Sequence, residues 1–344
     1  MTAAAIVYNP TKVALDRLRA AVEAEETRLG WQPSRWYATS RTDAGEGAAA
    51  TALAAGPGVL LVAGGDGTVR AVAEAMKGSG VPLALVPAGT GNLFARNLGL
   101  PLGSIEDSVD LAFSGVTRDV DVGLAELERA DGDSTQHAFV VMAGIGLDAV
   151  MAHGTNAVAK RHLGWLAYVD PIARSVLANR QFPMRYRVDD GRVRSARAHT
   201  MIIGNCGTLT AQLLLLPDAV LDDGLLDVIV LRPRGVFGWG RIGTRLTVHG
   251  LLHRSRLGRR IVQLTPGLET LKYLQGRRLE VHFETPQEVE LDGDGFGQVI
   301  SARLAIDHAA LRVCVGNAPA SPRSAEETPG RKPGQRARRP ISRR

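Results

Sequence analysis

The stretch Leu60–Arg70, LLVAGGDGTVR, passes from a continuous apolar run into three glycines and one carboxylate. Continuous apolar runs are typical of strands that are buried on both faces of a parallel sheet. Glycines at the end of such a strand let the backbone approach a ligand closely, and the N-terminus of a following helix presents free N–H groups to an anion. The stretch therefore predicts a strand, a phosphate-binding turn and a helix.

A second glycine turn, PAGTGN at Pro87–Asn92, follows the next apolar run along the chain. Ligands bind outside the carboxyl ends of the strands of an open parallel sheet, so two turns at neighbouring strand ends predict one shared phosphate site. Asp66 in the first turn would repel phosphate, which favours a nucleoside triphosphate bound with Mg²⁺. The alternative is a tight turn in which Asp66 caps the next helix. The P-loop pattern G-x-x-x-x-G-K-[ST] is absent, which excludes a Walker-type ATPase.

The same alternation of strand and helix patterns extends to both sides of these turns. Apolar runs predict strands, and apolar residues at helical spacing predict helices between them. The strands are expected at Ala3–Tyr8, Ser34–Thr39, Gly58–Gly64 and Val81–Gly89, and the helices at Val13–Leu29, Asp43–Ala55, Val69–Met76 and Asn92–Leu98. This order predicts an α/β domain with a parallel sheet that is covered on both faces.

The character of the sequence changes after Val122. Short apolar runs bounded by Gly, Pro and Asp predict an antiparallel, sandwich-like β domain, with a helix expected within Ala159–Leu177. We therefore expect an α/β domain at residues 1–122 and a β domain at residues 123–316. A G-x-G-x-x-A pattern at Gly144–Ala149 lies in the β-rich half without a βαβ unit, which disfavours dinucleotide binding there.

The net charge of +6 is confined to one end of the chain. Residues 317–344 hold 8 of the 41 Lys and Arg residues and 2 of the 35 Asp and Glu residues, so the rest of the chain is neutral with 33 of each. This Pro-rich tail is expected to be disordered, and either contacts anionic lipid or only improves solubility. A neutral globular part predicts no nucleic-acid partner.

Cysteine usage and hydropathy predict the compartment. Cys206 and Cys314 lie in apolar contexts, which indicates buried thiols in a reducing environment. No apolar run approaches the roughly 18–20 residues of a spanning helix, and the N-terminus lacks the pattern of a signal peptide. We expect a cytoplasmic protein with, at most, peripheral contact at the inner face of a membrane.

Two acidic turns in the β domain are candidate functional sites. PDAVLDDGLLDV at Pro217–Val228 combines a carboxylate with turn carbonyls, which are ligands suited to Mg²⁺ or Ca²⁺. VELDGDGFG at Val289–Gly297 ends another strand, and one carboxylate there would suit a general base if it faced the nucleotide. For both turns, a surface hairpin rich in turn-forming residues is the alternative.

Taken in order, these motifs resemble the diacylglycerol/lipid kinase family, which includes bacterial lipid kinases and the eukaryotic sphingosine and ceramide kinases. The resemblance runs from Ala5 to Gly316, and its carriers are VYNP, GGDGT, PAGTGNLFARNLGLP, RDVDVG, AGIGLDAVM, PDAVLDDGLLDV and LDGDG. GGDGT alone is shared with NAD kinases and resembles the phosphofructokinase turn. The resemblance implies a three-layer α/β domain that binds ATP and a C-terminal β-sandwich that helps to form a lipid site in the interdomain cleft.

The resemblance also implies roles for individual residues. Asp292 takes the position of the catalytic base, and Asp121 matches a further acid near the active site. A structural Mg²⁺ would be held by Asp223 with the backbone oxygens of Val220 and Leu225. The positions that correspond to nucleotide contacts are Asn9, Thr39, Gly64, Gly65, Asp66, Gly67, Thr68, Gly89, Thr90 and Asn92.

This sequence departs from the family pattern at three places. Leu93 stands where the family often has Asp, Asp294 replaces the Glu of the usual DGE, and the Gly that commonly follows Asn-Pro is missing. The core set of motifs is present despite these changes.

The function implied is phosphorylation of a lipid hydroxyl by ATP with Mg²⁺, most simply diacylglycerol to phosphatidic acid in phospholipid biosynthesis. One alternative is an NAD-kinase-like enzyme acting on a soluble substrate, although no NNDxxxxR-like run is present. Another is a weakly catalytic, lipid-binding regulatory protein, which Leu93 keeps open. Membrane contact is expected from the basic tail, from VFGWGR around Trp239 or from HRSRLGRR at His253–Arg260. The sequence does not determine the oligomeric state.

Overall fold

A computed structural model describes residues 2–146, 181–207, 216, 219–232 and 271–316 of the chain. Several of the expectations above lie outside these residues. They are the helix within Ala159–Leu177, the segments around Trp239 and His253–Arg260, and the tail at residues 317–344.

The N-terminal elements form the α/β arrangement that the sequence predicts. Strands β1, β2, β3 and β4 lie side by side in the order β4-β3-β1-β2, and all of their pairings are parallel. The elements in chain order are β1 Ala3–Tyr8, α1 Leu15–Leu29, β2 Gln32–Ala38, α2 Glu46–Ala54, β3 Val59–Gly64, α3 Asp66–Met76, β4 Leu83–Pro87, α4 Leu93–Asn97 and α5 Ile105–Ser114.

Helices cover both faces of this sheet because successive side chains of each strand point to opposite sides. In β1, Ala5 and Val7 pack in one core with α2 and α3. Ala4 and Ile6 pack in a second core with α1 and α5. The strands are therefore continuously apolar, and the domain has three layers.

Three helices differ from the sequence-based expectation by three residues or more, and the first, α2, begins at Glu46, three residues after its predicted start. Helix α3 begins at Asp66, three residues before the predicted start, because extended Gly65 is its N-cap and the turn itself forms the first helical residues. Helix α5 was not predicted, although Ser104 Oγ accepts a hydrogen bond from Asp107 N at 3.0 Å in an ordinary N-cap.

The remaining described strands are antiparallel and enclose a separate core. They are β5 Val116–Glu128, β6 Ser134–Phe139, β7 Met142–Ile145, β8 Phe182–Val188, β9 Arg194–Ala198, β10 Thr200–Gly204, β11 Leu226–Leu231, β12 Leu271–Gly276, β13 Arg278–Leu291 and β14 Asp294–Val315. Their apolar side chains form one large cluster, which includes Phe139, Ile145, Met201 and Leu291. The β-rich second half is therefore as expected.

Strand β14 joins the two halves. It pairs antiparallel with β13 and β5, and near its end Val313 pairs with Leu83 of β4 in parallel. The fourteen described strands consequently form one continuous sheet. The expected division at residues 122 and 123 falls within β5, and it stays a prediction.

Two further observations concern the cysteines and the apolar character of the helices. Cys206 and Cys314 are both buried and free, as the sequence suggested. None of the helices in the described ranges has the length and apolar character needed to cross a bilayer.

Asp121 on β5 fixes the acidic turn to the sheet. Its side chain is fully buried, and its oxygens accept hydrogen bonds from Gly224 N at 2.7 Å, Ala309 N at 2.8 Å and His308 Nδ1 at 2.7 Å. Ala309 lies where the register between β14 and β5 shifts and has a φ of 53°, so this bulge turns its N–H towards the carboxylate. One carboxylate thereby joins β5, β14 and the turn before β11.

We expect Asp121→Ala to lower the free energy of unfolding by about 3 kcal/mol, because it leaves buried N–H donors of two segments without an acceptor. Urea denaturation followed by circular dichroism measures this change. Asp119→Ala is the matched control, because Asp119 lies two residues earlier on the same strand in an exposed ion pair with Arg312. Equal stability of the two variants would contradict the anchoring role of Asp121.

Candidate functional site

The two glycine turns lie against each other at the carboxyl edge of the parallel sheet. Ala88 N donates to Gly64 O at 2.9 Å, which aligns the ends of β3 and β4. A Cβ built on Gly89 would lie 2.7 Å from Gly65 Cα, closer than real side chains approach backbone. Glycine is therefore required where the turns touch, and the predicted pairing of the turns is present.

Asp66 connects the first turn to the second. Its Oδ2 accepts a hydrogen bond from Asn92 N at 2.9 Å, and its Oδ1 accepts one from Leu93 N at 2.6 Å. The carboxylate thus caps α4 and not its own helix α3. Two backbone N–H groups account for an acid at this place without a cation, but the helix that Asp66 caps is α4, whereas the capping alternative named the helix directly after the turn.

Asn92 closes the second turn on itself. Its Oδ1 accepts from Gly89 N and its Nδ2 donates to Gly89 O, both at 2.9 Å. Its φ of 47° is left-handed, a conformation that Asn tolerates better than most residues. Thr90, at the tip of this turn, is exposed.

The other predicted nucleotide residues lie at the same edge. Asn9 N donates to Ala63 O at 2.9 Å, so Asn9 follows the end of β1 beside β3. Thr39 N donates to Tyr8 O at 2.9 Å, so Thr39 follows the end of β2, one strand further from β3. Asn9 Oδ1 is engaged locally, because it accepts from Thr11 N and Thr11 Oγ1. Thr68, on the first turn of α3, is almost fully buried.

Lys12 is a candidate that the sequence reasoning missed. Its Nζ lies 2.9 Å from the position that a Cβ on Gly65 would occupy, so the ammonium lies over the first glycine turn. Its side chain is exposed, and within the described residues it forms no salt bridge. A free cation beside the N-terminus of α3 favours binding of an anion. The signal available in the sequence was a Lys in the loop that follows β1 at this same sheet edge.

Asp292, the expected base, is buried and fully engaged with the backbone. Its Oδ2 accepts from Val140 N at 2.8 Å, and its Oδ1 accepts from Val141 N at 2.9 Å and Met142 N at 2.8 Å. Burial raises the pKa of this carboxyl to about 6, against the opposing effect of these donors. The carboxylate holds the loop between β6 and β7, which leaves little of it for a substrate.

Asp294, two residues later, faces the first glycine turn. Its Oδ2 lies 2.8 Å from the position of a Cβ on Gly67, and 46% of its side chain is exposed. Left-handed Asp292 and Gly293, with φ of 51° and 88°, reverse the chain between β13 and β14. The role of Asp292 as a base stays a prediction, but the geometry favours Asp294 for it.

The predicted metal turn has donor chemistry that fits a hard cation. Asp223 Oδ1 accepts from Leu225 N at 3.0 Å, so the carboxylate lies beside the turn backbone. Partial burial raises the pKa of Asp223, and the neighbouring carboxylates of Asp121 and Asp222 add to this effect. A Mg²⁺ ion here would relieve this repulsion. In the described ranges, no three His, Cys, Asp or Glu side chains converge on one point, so such an ion depends on backbone oxygens.

Comparison with known proteins gives this arrangement a context. Residues 4–125 match the model of the diacylglycerol kinase catalytic domain, and residues 140–315 match the YegS C-terminal NAD kinase beta sandwich-like domain. The two matches together span most of the two domains expected from the sequence, and the second alone covers half of the chain.

Individual relatives and one solved structure agree with the family models. A diacylglycerol kinase of Mycobacterium tuberculosis (strain ATCC 25618 / H37Rv) is 30% identical over 179 residues, which are 52% of this chain and 56% of that protein. The chain thus aligns with little more than half the length of that relative. The "Probable lipid kinase YegS-like" of Pseudomonas aeruginosa (strain UCBPP-PA14) is 33% identical over 239 residues, 66% of this chain and 74% of that protein.

The fold is that of a diacylglycerol kinase from Bacillus anthracis str. Sterne. The two structures superpose with a TM-score of 0.62 at 18% identity over 92% of this chain and 97% of the other. With its α/β sheet, its β sandwich-like second half and both family models matched in order, the chain belongs to the diacylglycerol kinase and YegS-like lipid kinase family.

Proposed function

We propose that the chain is an ATP-dependent lipid kinase that transfers the γ-phosphoryl group of ATP to the hydroxyl of diacylglycerol or a closely related lipid. The observation that carries this proposal is the half-exposed carboxylate of Asp294 opposite the paired glycine turns. Membership in the family supports the reaction type, since its relatives bear the names diacylglycerol kinase and lipid kinase.

In this proposal, the two glycine turns and the N-terminus of α3 bind the phosphates of ATP. Their backbone N–H groups and the Lys12 ammonium offset the negative charge of the phosphates, which is the main requirement of phosphoryl transfer. The set of phosphate contacts is Asn9, Gly65, Gly67, Thr68, Gly89 and Thr90. Gly64, Asp66 and Asn92 act by shaping the turns, and Thr39 is proposed to contact the nucleotide from the end of β2.

Asp294 is proposed to accept the proton of the lipid hydroxyl. As that proton moves to the carboxylate, the hydroxyl oxygen forms a bond to the γ-phosphorus. The bond from this phosphorus to the bridging oxygen breaks, and its electron pair leaves with ADP. A carboxylate is a weak base towards an alcohol at neutral pH, so the proton is expected to move late, once the transition state has loosened it.

Mg²⁺ is proposed as the cofactor, and it would supply further neutralisation of phosphate charge when bound with ATP. A second, structural ion is proposed at Asp223, Val220 and Leu225. These residues precede β11, away from the glycine turns in sequence, so their role would be to stabilise the turn held by Asp121.

Membrane contact is proposed to be peripheral, because a lipid substrate has to be reached from a bilayer surface. The basic tail would provide electrostatic attraction to anionic headgroups, worth about 1 kcal/mol for each Lys or Arg near the surface. Such contact is weak and reversible, and it agrees with the cytoplasmic location expected from the sequence.

A phosphate-transfer screen tests the proposed function. Purified protein is incubated with radiolabelled ATP and Mg²⁺ in the presence of diacylglycerol, a sphingoid base, NAD or buffer alone. We expect label in phosphatidic acid above all other products. Label in NAD would identify a kinase of a soluble substrate, and ATP binding without any transfer would identify a regulatory protein, so either result contradicts the proposal.

Replacing the two acids of the LDGDG turn separates their roles. We expect Asp294→Asn to reduce kcat by roughly 100-fold or more with little change in stability, because it removes the proton acceptor. We expect Asp292→Asn to lower the melting temperature, because an amide nitrogen would face backbone N–H donors. Steady-state kinetics and thermal unfolding measure both variants.

The reverse outcome for the two variants would support Asp292 as the base, the role that the family resemblance implies. A stable Asp292→Asn variant without activity, beside an Asp294→Asn variant with near wild-type turnover, would make Asp292 the base. Ser301→Ala on the same strand β14 is a control, since its hydroxyl donates to Glu128, remote from the turn.

Lys12 provides a test of the phosphate site. We expect Lys12→Met to raise KM for ATP roughly 10-fold, since a charged hydrogen bond contributes on the order of 1.5 kcal/mol. KM for the lipid should stay unchanged. Lys77→Met is the control, because Lys77 is exposed at the opposite end of α3. Equal KM values for ATP in the two variants would remove Lys12 from the site.

A further inference from the structure

Arg70 lies on α3 one turn after the first glycine turn and reaches the β13–β14 turn. Its Nε donates to Asp294 Oδ2 at 3.3 Å, and its Nη1 donates to Glu74 Oε2 at 2.8 Å. Only 10% of the Arg70 side chain is exposed, so solvent screens this guanidinium poorly. One buried cation thus bridges two carboxylates that lie 220 positions apart in the chain.

The guanidinium is held in place from two other sides. The Cζ atom of Arg70 lies 4.9 Å from the centre of the Phe296 ring, in a cation–π contact. Glu74 is one helical turn further along α3, so its bond to Arg70 is local and does not depend on the β13–β14 turn. With these contacts made, the Nε–H of Arg70 is directed at Asp294.

His137 on β6 completes this cluster without competing for the carboxylates. Its ring lies 4.4 Å from the Phe296 ring, and its Nδ1 lies 3.8 Å from Glu74 Oε1. Burial is the main cause that lowers the pKa of His137, and it thereby disfavours the charged form of the ring. Arg70 is therefore the cation that pairs with both Glu74 and Asp294 in this cluster.

The carboxylate of Asp294 needs the hydrogen bond from Arg70, because little else at its position restrains the side chain. Its side chain is short and 46% exposed, and it follows two left-handed residues in a tight turn. Unlike Asp66, Asp121 and Asp292, it accepts no hydrogen bond from the described backbone. Without Arg70, the carboxylate would be free to turn into solvent.

We propose that Arg70 is a positioning residue that holds the Asp294 carboxylate against the first glycine turn. This inference rests on the proposed function, in which Asp294 accepts the hydroxyl proton. Arg70 touches neither the phosphates nor the lipid in this assignment. It fixes one carboxylate oxygen and leaves the other for the substrate hydroxyl.

A double-mutant cycle in kcat tests this role. Arg70→Met keeps the buried stem of the side chain and removes the guanidinium. We expect this variant to lower kcat roughly 10- to 100-fold with KM for ATP unchanged, because a small misplacement of a reacting group costs on that order. In an Asp294→Asn background the same change should alter kcat less than about twofold, since the positioned group is already absent.

Three further variants separate positioning from folding. Arg70→Met leaves Glu74 without its partner, so the combination of Arg70→Met with Glu74→Gln removes the unpaired charge and should show the same kcat. Arg70→Lys should recover part of the loss, because an ammonium still attracts the carboxylate. Arg129→Met is the matched control, since Arg129 donates to Phe296 O of the same hairpin but does not contact Asp294.

The outcomes distinguish this inference from the function on which it rests. If the losses from Arg70→Met and Asp294→Asn multiply in the double variant, the two residues act independently and the inference is overturned. If Arg129→Met lowers kcat as much as Arg70→Met, the effect belongs to the hairpin in general, which also overturns it. If the wild-type protein phosphorylates no lipid, the proposed function fails, and the inference fails with it.

Discussion

The pairing of β14 with both halves of the molecule is the constraint on which the site depends. This strand begins at Asp294 and ends at Val315, where it pairs with β4 of the parallel sheet. Because it is one continuous strand, its two ends cannot move independently. The acid at its first residue is thereby held above the turn that follows β3, the neighbour of β4. A single long strand thus places a group from the β-rich half over the glycine turns of the α/β half.

The carboxylates discussed above divide into two classes by their hydrogen-bond partners. Asp66, Asp121 and Asp292 each accept at least two bonds from backbone N–H groups, and each joins segments that are distant in sequence. Such carboxylates stabilise loops, because the donors would otherwise be buried without partners. Asp294 is bound instead by one side-chain cation and keeps an exposed face. That contrast, more than position in a motif, is the ground for proposing Asp294 as the reactive acid.

The elements themselves were largely predictable, and the misses have local causes. Apolar runs identified the strands of the parallel sheet because burial on both faces leaves no place for polar residues. The sequence predicts a later start for α3, because its three glycines indicate a turn, whereas Gly65 is the N-cap of the helix. Helix α5 was overlooked although its Ser104 cap is a local signal. Lys12 was overlooked because nothing near it in sequence marks what lies opposite its side chain.

By itself, the sequence determined the order of the two domains, the paired glycine turns and the family, since these follow from local pattern and from motifs in a fixed order. It also indicated the LDGDG turn as a candidate functional site. Only the tertiary structure shows that backbone donors hold Asp292 while Asp294 faces the first glycine turn. Because the chain reverses between them, Asp292 and Asp294 point to opposite sides of the turn. Strands far away in the chain determine which side faces the buried loop and which side faces the phosphate turn. The sequence could not identify Arg70 of α3 as the hydrogen-bond partner of Asp294 for the same reason.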